Sequence, residues 1–208
     1  AGIKSPVGAY NLPESVQEGE GSYMTDRRWR KWELAGLFLT LILGNLLHFV
    51  YEWSGQSPAA APFAAVNEST WEHMKLLATP WIVWSLVEAA VLRKSRRPVL
   101  MARALGLLTG LLLIPLVYYT YTGALGTGSM VADVVLFQAA VLLAALVSWR
   151  VQAKGSLSGV GWNVLGLLVL LGVWALFVWW TYDPPQLPVF IDPTDGTRGL
   201  AVLRVIGV

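Results

Sequence analysis

Five long apolar runs, at residues 34–53, 76–92, 99–121, 130–148 and 160–181, constrain this chain more than any other feature. Each approaches the roughly 20 residues a helix needs to cross the hydrocarbon core of a bilayer. Inside that core a helix satisfies its backbone hydrogen bonds within one segment. The predicted fold is therefore all-α, a polytopic transmembrane bundle of five helices.

The charge content agrees. Hydrophobic residues make up 55% of the 208 residues and charged residues 13%, against about 25% charge in soluble domains. Short connections between the runs leave no room for a separate soluble domain of ordinary size. A net charge of +2 without a single basic patch gives no reason to expect nucleic acid as a partner; the lipid bilayer is the expected one. With no cysteine, disulfides, thiolate metal sites and dithiol redox chemistry are excluded.

Three segments follow. Residues 1–23 carry Gly, Pro, Ser and Glu without apolar periodicity, and are expected to be a disordered leader or an added extension. Residues 24–181 form the transmembrane domain. Residues 182–208 form a tail with strong turn chemistry at Asp192-Pro193-Thr194-Asp195-Gly196. That tail either covers the outer ends of the helices as a lid or rests loosely on the headgroups.

Basic residues set the orientation. Arg27, Arg28, Arg30 and Lys31 precede the first run, Arg93, Lys94, Arg96 and Arg97 lie between the second and third, and Arg150 and Lys154 between the fourth and fifth. The connections at 54–70 and 122–129 contain neither Lys nor Arg. The positive-inside rule then places the N-terminus in the cytoplasm and the C-terminus outside, in the cell membrane.

Several polar and small residues have structural readings. Gly106 and Gly110 allow close helix approach, within the bundle rather than between copies. Pro80 and Pro115 are expected to kink their helices. Asn45, Gln138 and Asn163 are expected to hydrogen-bond between helices, and Glu88 to pair with Arg93 or Arg97 at the inner interface.

The outer ends of the first two helices differ in kind. The first ends in His48-Phe49-Val50-Tyr51-Glu52, so His48 and Glu52 share a face roughly 6 Å apart along the axis. The second opens with Asn67-Glu68-Ser69-Thr70-Trp71-Glu72-His73-Met74-Lys75, with Asn67, Ser69 or Thr70 as N-cap. Both histidines of the chain and three acids converge at one membrane level. Neutral imidazole and carboxylate are ligands for a divalent metal such as zinc when thiolate is absent. The candidate metal ligands are His48, Glu52, Glu68 and His73. The candidate catalytic group is His48, Glu52, Glu72 and His73, where a carboxylate that is not a ligand serves as general base to a metal-bound water. The competing reading has Glu68, Glu72 and Lys75 capping and solvating a helix start, with His48 bonded to Glu52. Capping does not account for His48, which lies below the lipid–water boundary and needs a partner there.

The stretches His48-x-x-Tyr51-Glu52, Asn67-Glu68-Ser69-Thr70-Trp71-Glu72-His73-x-Lys75 and Phe190-x-Asp192-Pro193-x-x-Gly196 resemble those of an uncharacterised family of small prokaryotic multi-pass membrane proteins. The resemblance spans about Met24 to Leu200 and implies a bacterial or archaeal membrane protein, with no reaction and no catalytic residues. Two function classes stay open. One is a membrane-embedded hydrolase or transferase acting on a lipid-like substrate at the outer leaflet. The other is a non-catalytic small transporter, sensor or accessory subunit of a membrane complex. Polar residues gathered at one end, and the lack of an internal repeat, weigh against a transport pathway. Oligomeric state is not legible.

Overall fold

The computed structural model describes residues 14–93 and 97–200, with side chains from residue 28 onward. Five helices account for most of it: α1 (Glu14–Trp53), α2 (Thr70–Val91), α3 (Val99–Leu125), α4 (Met130–Lys154) and α5 (Val160–Tyr182). A 3₁₀ turn, Pro188–Phe190, follows. All five helices are long and apolar enough to cross a membrane, the first from Arg28 onward. Among the described residues there is no named strand, only a single antiparallel bridge between Ile191 and Arg198. α1 begins at Glu14, so its first turns fall within the stretch expected to be a leader. Residues 1–13, Lys94 to Arg96 and 201–208 lie outside the described residues.

Local chemistry sets the helix limits. The Ser69 and Ser129 side chains accept from the backbone N–H of Glu72 and Ala132, capping α2 and α4. Gly126 and Gly155 end α3 and α4 in the left-handed region, at φ 71° and 64°, where a side chain would be strained. Short connections make neighbouring helices antiparallel. One end of the bundle therefore gathers the α1–α2 and α3–α4 connections and the tail, here called the histidine end. The other gathers the α2–α3 and α4–α5 connections, the basic end.

α3 is central, packing on α2, α4 and α5, while α1 lies against α2 and α4. The shared core includes Leu77, Trp81, Leu107, Ala140, Val141, Ala144, Leu170 and Phe177. Phe38, Ile42, Leu112, Leu116, Val135 and Leu168 point outward. So many outward apolar side chains would cost dearly in water and fit a lipid surround. A Cβ on Gly106 would come within 2.5 Å of the Ala144 carbonyl oxygen, and one on Gly110 within 3.0 Å of that of Ala140. The small-residue spacing thus joins α3 to α4 inside one chain. Gln138 donates to Asn45 at 3.2 Å between α4 and α1. Asn163 accepts from the Leu100 N–H at 3.0 Å between α5 and α3.

Near the basic end, four helices meet at a buried polar knot. Arg103 of α3 donates through Nε to Glu88 of α2 at 2.8 Å, with a second nitrogen at 2.7 Å, and lies 3.5 Å from Glu33 of α1. Ser148 and Gln152 of α4 both donate to Glu33. The Arg103 guanidinium covers the Trp81 ring at 4.4 Å. Glu88 and Arg103 are both 0% exposed. The expected interface pair between Glu88 and Arg93 or Arg97 is thus replaced by an inward one. Arg103 sits a turn inside α3, where paired burial is the low-energy solution for a charge. Around this end, Trp29 meets Trp149 at 4.9 Å and Trp32 stacks on Trp84 at 5.1 Å, marking an interfacial belt.

The tail is docked rather than loose. The Leu200 N–H donates to the Thr181 carbonyl at 2.8 Å, and Asn67 donates to the Gly199 carbonyl at 3.2 Å. Phe190 packs on Trp71 and Trp180, with ring centroids 4.8 and 5.6 Å away.

Candidate functional site

The site grows out of the capped start of α2. Asn67 Oδ1 accepts from the Ser69 N–H at 3.0 Å, and Ser69 Oγ accepts from the Glu72 N–H at 3.4 Å. These local bonds fix where the helix begins. Glu68 is left just before the cap, with its carboxylate outside the helix, and His73 falls one turn in. His48 reaches the same level from the last turns of α1.

Glu68 lies between the two imidazoles. Its Oε1 is 3.7 Å from His48 Nε2 and its Oε2 is 3.5 Å from His73 Nε2. The two rings are 5.3 Å apart between centroids, tilted by 39°. One potential ligand atom from each of the three residues lies within 4.8 Å of the other two. Ligands at about 2.0–2.1 Å around a tetrahedral zinc stand roughly 3.4 Å from one another. The two His–Glu separations, each to a different carboxylate oxygen, are close to that, and the group would close from within 4.8 Å around an ion.

The tautomer at His73 is set by its partner. His73 Nδ1 lies 3.0 Å from the Ser69 carbonyl oxygen. A carbonyl only accepts, so Nδ1 carries a proton and Nε2 is the ring nitrogen that faces Glu68 and is left for a metal. His48 keeps Nδ1 buried, without a hydrogen-bond partner, and points Nε2 into the group. All three side chains remain reachable from outside, at 32%, 48% and 34% exposure for His48, Glu68 and His73.

The tail supports this loop. Asp192 accepts from the Glu68 N–H at 2.8 Å and from the Thr194 N–H and hydroxyl at 2.7 and 2.5 Å. Burial pushes its carboxyl up. The bonds from the Thr194 hydroxyl and from the N–H groups of Glu68, Thr194 and Asp195 outweigh that and hold it below its ordinary value.

Two of the acids named from sequence lie elsewhere. Glu52 is exposed on the last turn of α1 and is not one of the three grouped residues. Glu72 turns into the bundle: its Oε2 is 2.5 Å from Lys75 Nζ and accepts from the Val66 N–H at 3.1 Å, and its Oε1 is 3.1 Å from the Thr181 hydroxyl. Lys75 Nζ also donates to the Ala61 carbonyl and to Thr181, each at 2.7 Å. Glu72 and Lys75, three residues apart, share the inward face of α2, while His73 stands about 100° around the helix from Glu72 and Glu68 precedes the cap, so both of these face outward. Thr181 carried no sequence signal for a place beside the site, and Asp192 was legible only as part of the tail's turn and family pattern, because only folding brings α5 and the tail to α2.

The family model described as "Family of unknown function (DUF6512)" matches residues 22–200. No curated protein and no solved structure matches the chain.

Proposed function

We propose a function from the site's own geometry, since the chain belongs to the DUF6512 family, a family of unknown function. The protein binds a divalent metal, zinc being the best match, through His48, Glu68 and His73 at the extracytoplasmic face of the cell membrane. The observation that carries this reading is the convergence of the three ligand atoms, with His73 Nδ1 engaged by the Ser69 carbonyl and Nε2 turned into the group. Three protein ligands leave at least one position for water, the arrangement of catalytic rather than structural zinc sites. His48, Glu68 and His73 would hold the ion, which when bound would supply an acidified water and a Lewis acid for an ester or phosphoryl oxygen. The reaction class that follows is hydrolysis or group transfer on a lipid-like substrate, which reaches the ligands because all three are partly exposed.

A second reading, a metal-responsive sensor or accessory subunit, has one observation in its favour. Glu52 and Glu72, the acids available as general base, are not in the group. Zinc titration of the purified protein by calorimetry tests the shared premise. One equivalent should bind, and Glu68→Ala and His73→Ala should each weaken binding more than about tenfold. Equal affinity in the wild type and both variants would sink the site. Metal-dependent turnover of a phospholipid or lipid-linked phosphate separates the catalytic reading from the sensor.

A further inference from the structure

A second site stands at the opposite end of the bundle. A cavity of about 460 Å³ opens between the starts of α3 and α5, lined by Arg93, Arg97, Leu100, Asn163, Val164 and Leu167, with the connection 158–160 at its rim. That volume is in the range of small-ligand pockets. Among the described residues its lining contains two guanidinium groups and no carboxylate.

The walls are held in place. Asn163 accepts from the Leu100 N–H at 3.0 Å and donates to the Arg97 carbonyl at 3.4 Å, tying the two helix starts together. A Cβ on Gly166 would meet the Leu100 carbonyl oxygen at 2.6 Å, so α5 rests directly on the α3 backbone there. Arg97 is anchored: it donates to the Gln152 carbonyl at 2.9 Å and lies 4.5 Å over the Trp29 ring. Arg93 is exposed.

Polarity is graded along the membrane normal. The arginines sit in the α2–α3 connection, at headgroup level. Val160, Val164 and Leu167 form one face of α5, extending about 10 Å from the helix start toward the membrane interior. Trp162, half exposed on the same turn, marks the interface. A soluble anion would use the arginines and leave the apolar wall unused. An amphiphile uses both.

We infer that this cavity binds an anionic phospholipid, with its phosphate at the exposed Arg93 and the start of an acyl chain along Val160, Val164 and Leu167. Basic pockets between transmembrane helices recognise anionic headgroups in this way, and each arginine near the surface contributes about fivefold in affinity. The site shares no residue with the His48–Glu68–His73 group, so it stands or falls independently of it.

The test is native mass spectrometry of the full-length protein in a neutral detergent, dosed with dioleoylphosphatidylglycerol or dioleoylphosphatidylcholine. The anionic lipid should be retained at least about fivefold better, with one preferred equivalent. Arg93→Ala should bring its retention close to that of the zwitterionic lipid. Val164→Trp, which fills the apolar wall and leaves both arginines in place, should do the same. Inorganic phosphate at millimolar concentration should not displace the lipid. Equal retention of the two lipids, or a preference that survives both substitutions, overturns the proposal. Displacement by inorganic phosphate also overturns it, and assigns the cavity to a soluble anion instead.

Discussion

Lys75 Nζ lies 2.5 Å from Glu72 Oε2, with the two side chains 0% and 1% exposed, directly behind the turn that carries His73. All three ammonium protons have an acceptor: Glu72, the Ala61 carbonyl and the Thr181 hydroxyl. The pair therefore joins α2, α5 and the α1–α2 connection. Removing one partner strands the other charge in the bundle. Lys75→Met is expected to cost roughly 3–5 kcal/mol, and addition of Glu72→Gln to recover most of that. Thermal unfolding in detergent of the single and double variants checks the coupling; additive losses would contradict it.

The tail should release in acid. Asp192 is held below its ordinary pKa, so its bonds to Glu68 and Thr194 contribute fully above the unfolded value of about 3.9. That contribution is lost as pH falls through the lower folded value. Hydrogen exchange corrected for intrinsic rates should show steady protection in residues 188–200 from pH 7 to about 4.5, and declining protection below about 4. Asp192→Asn should be less protected at neutral pH and lose this acid dependence.

Close packing of α3 on α4 leaves no space at Gly106. Gly106→Ala places a methyl 2.5 Å from the Ala144 carbonyl oxygen, and is expected to destabilise by about 1–3 kcal/mol. Gly123→Ala, where nothing lies within 4 Å, is the matched control. It should be neutral or slightly stabilising in a helix. Equal unfolding temperatures for the two variants would contradict the packing.

Orientation is open to direct chemical test because the chain has no cysteine background. Ser57→Cys in the α1–α2 connection should react with a membrane-impermeant thiol reagent in whole cells. Ser158→Cys, in the α4–α5 connection, should react only after permeabilisation. The reverse pattern would invert the assigned topology.

The architecture was legible because its cause is one-dimensional. Helix-length apolar runs need no knowledge of contacts. The same holds for Gly106 and Gly110, and for the polar contacts of Asn45, Gln138 and Asn163. Within the site, His48, Glu68 and His73 were nameable because the α1–α2 connection forces two histidine-bearing turns to one level. Which acid faces them was not. Glu72 and Glu68 are four residues apart and would share a face of one continuous helix. Ser69 starts the helix between them, so Glu68 belongs to the connection and Glu72 to the inward face. Glu33, Arg103 and Gln152 were missed for a different reason. Glu33 follows Arg30 and Lys31, Gln152 lies between Arg150 and Lys154, and Arg103 stands alone in an apolar stretch; only the packing of α1, α2, α3 and α4 turns them into one group.

The central claim is that His48, Glu68 and His73 hold one metal ion, and X-ray absorption at the zinc edge reads that most directly. Protein loaded with one equivalent of zinc should show two imidazole nitrogens at about 2.0–2.1 Å, with their outer-ring scattering, and oxygen neighbours at about 2.0–2.2 Å. His48→Ala and His73→Ala should each remove one imidazole from that shell. A first shell of oxygen alone, unchanged in both variants, would contradict the account.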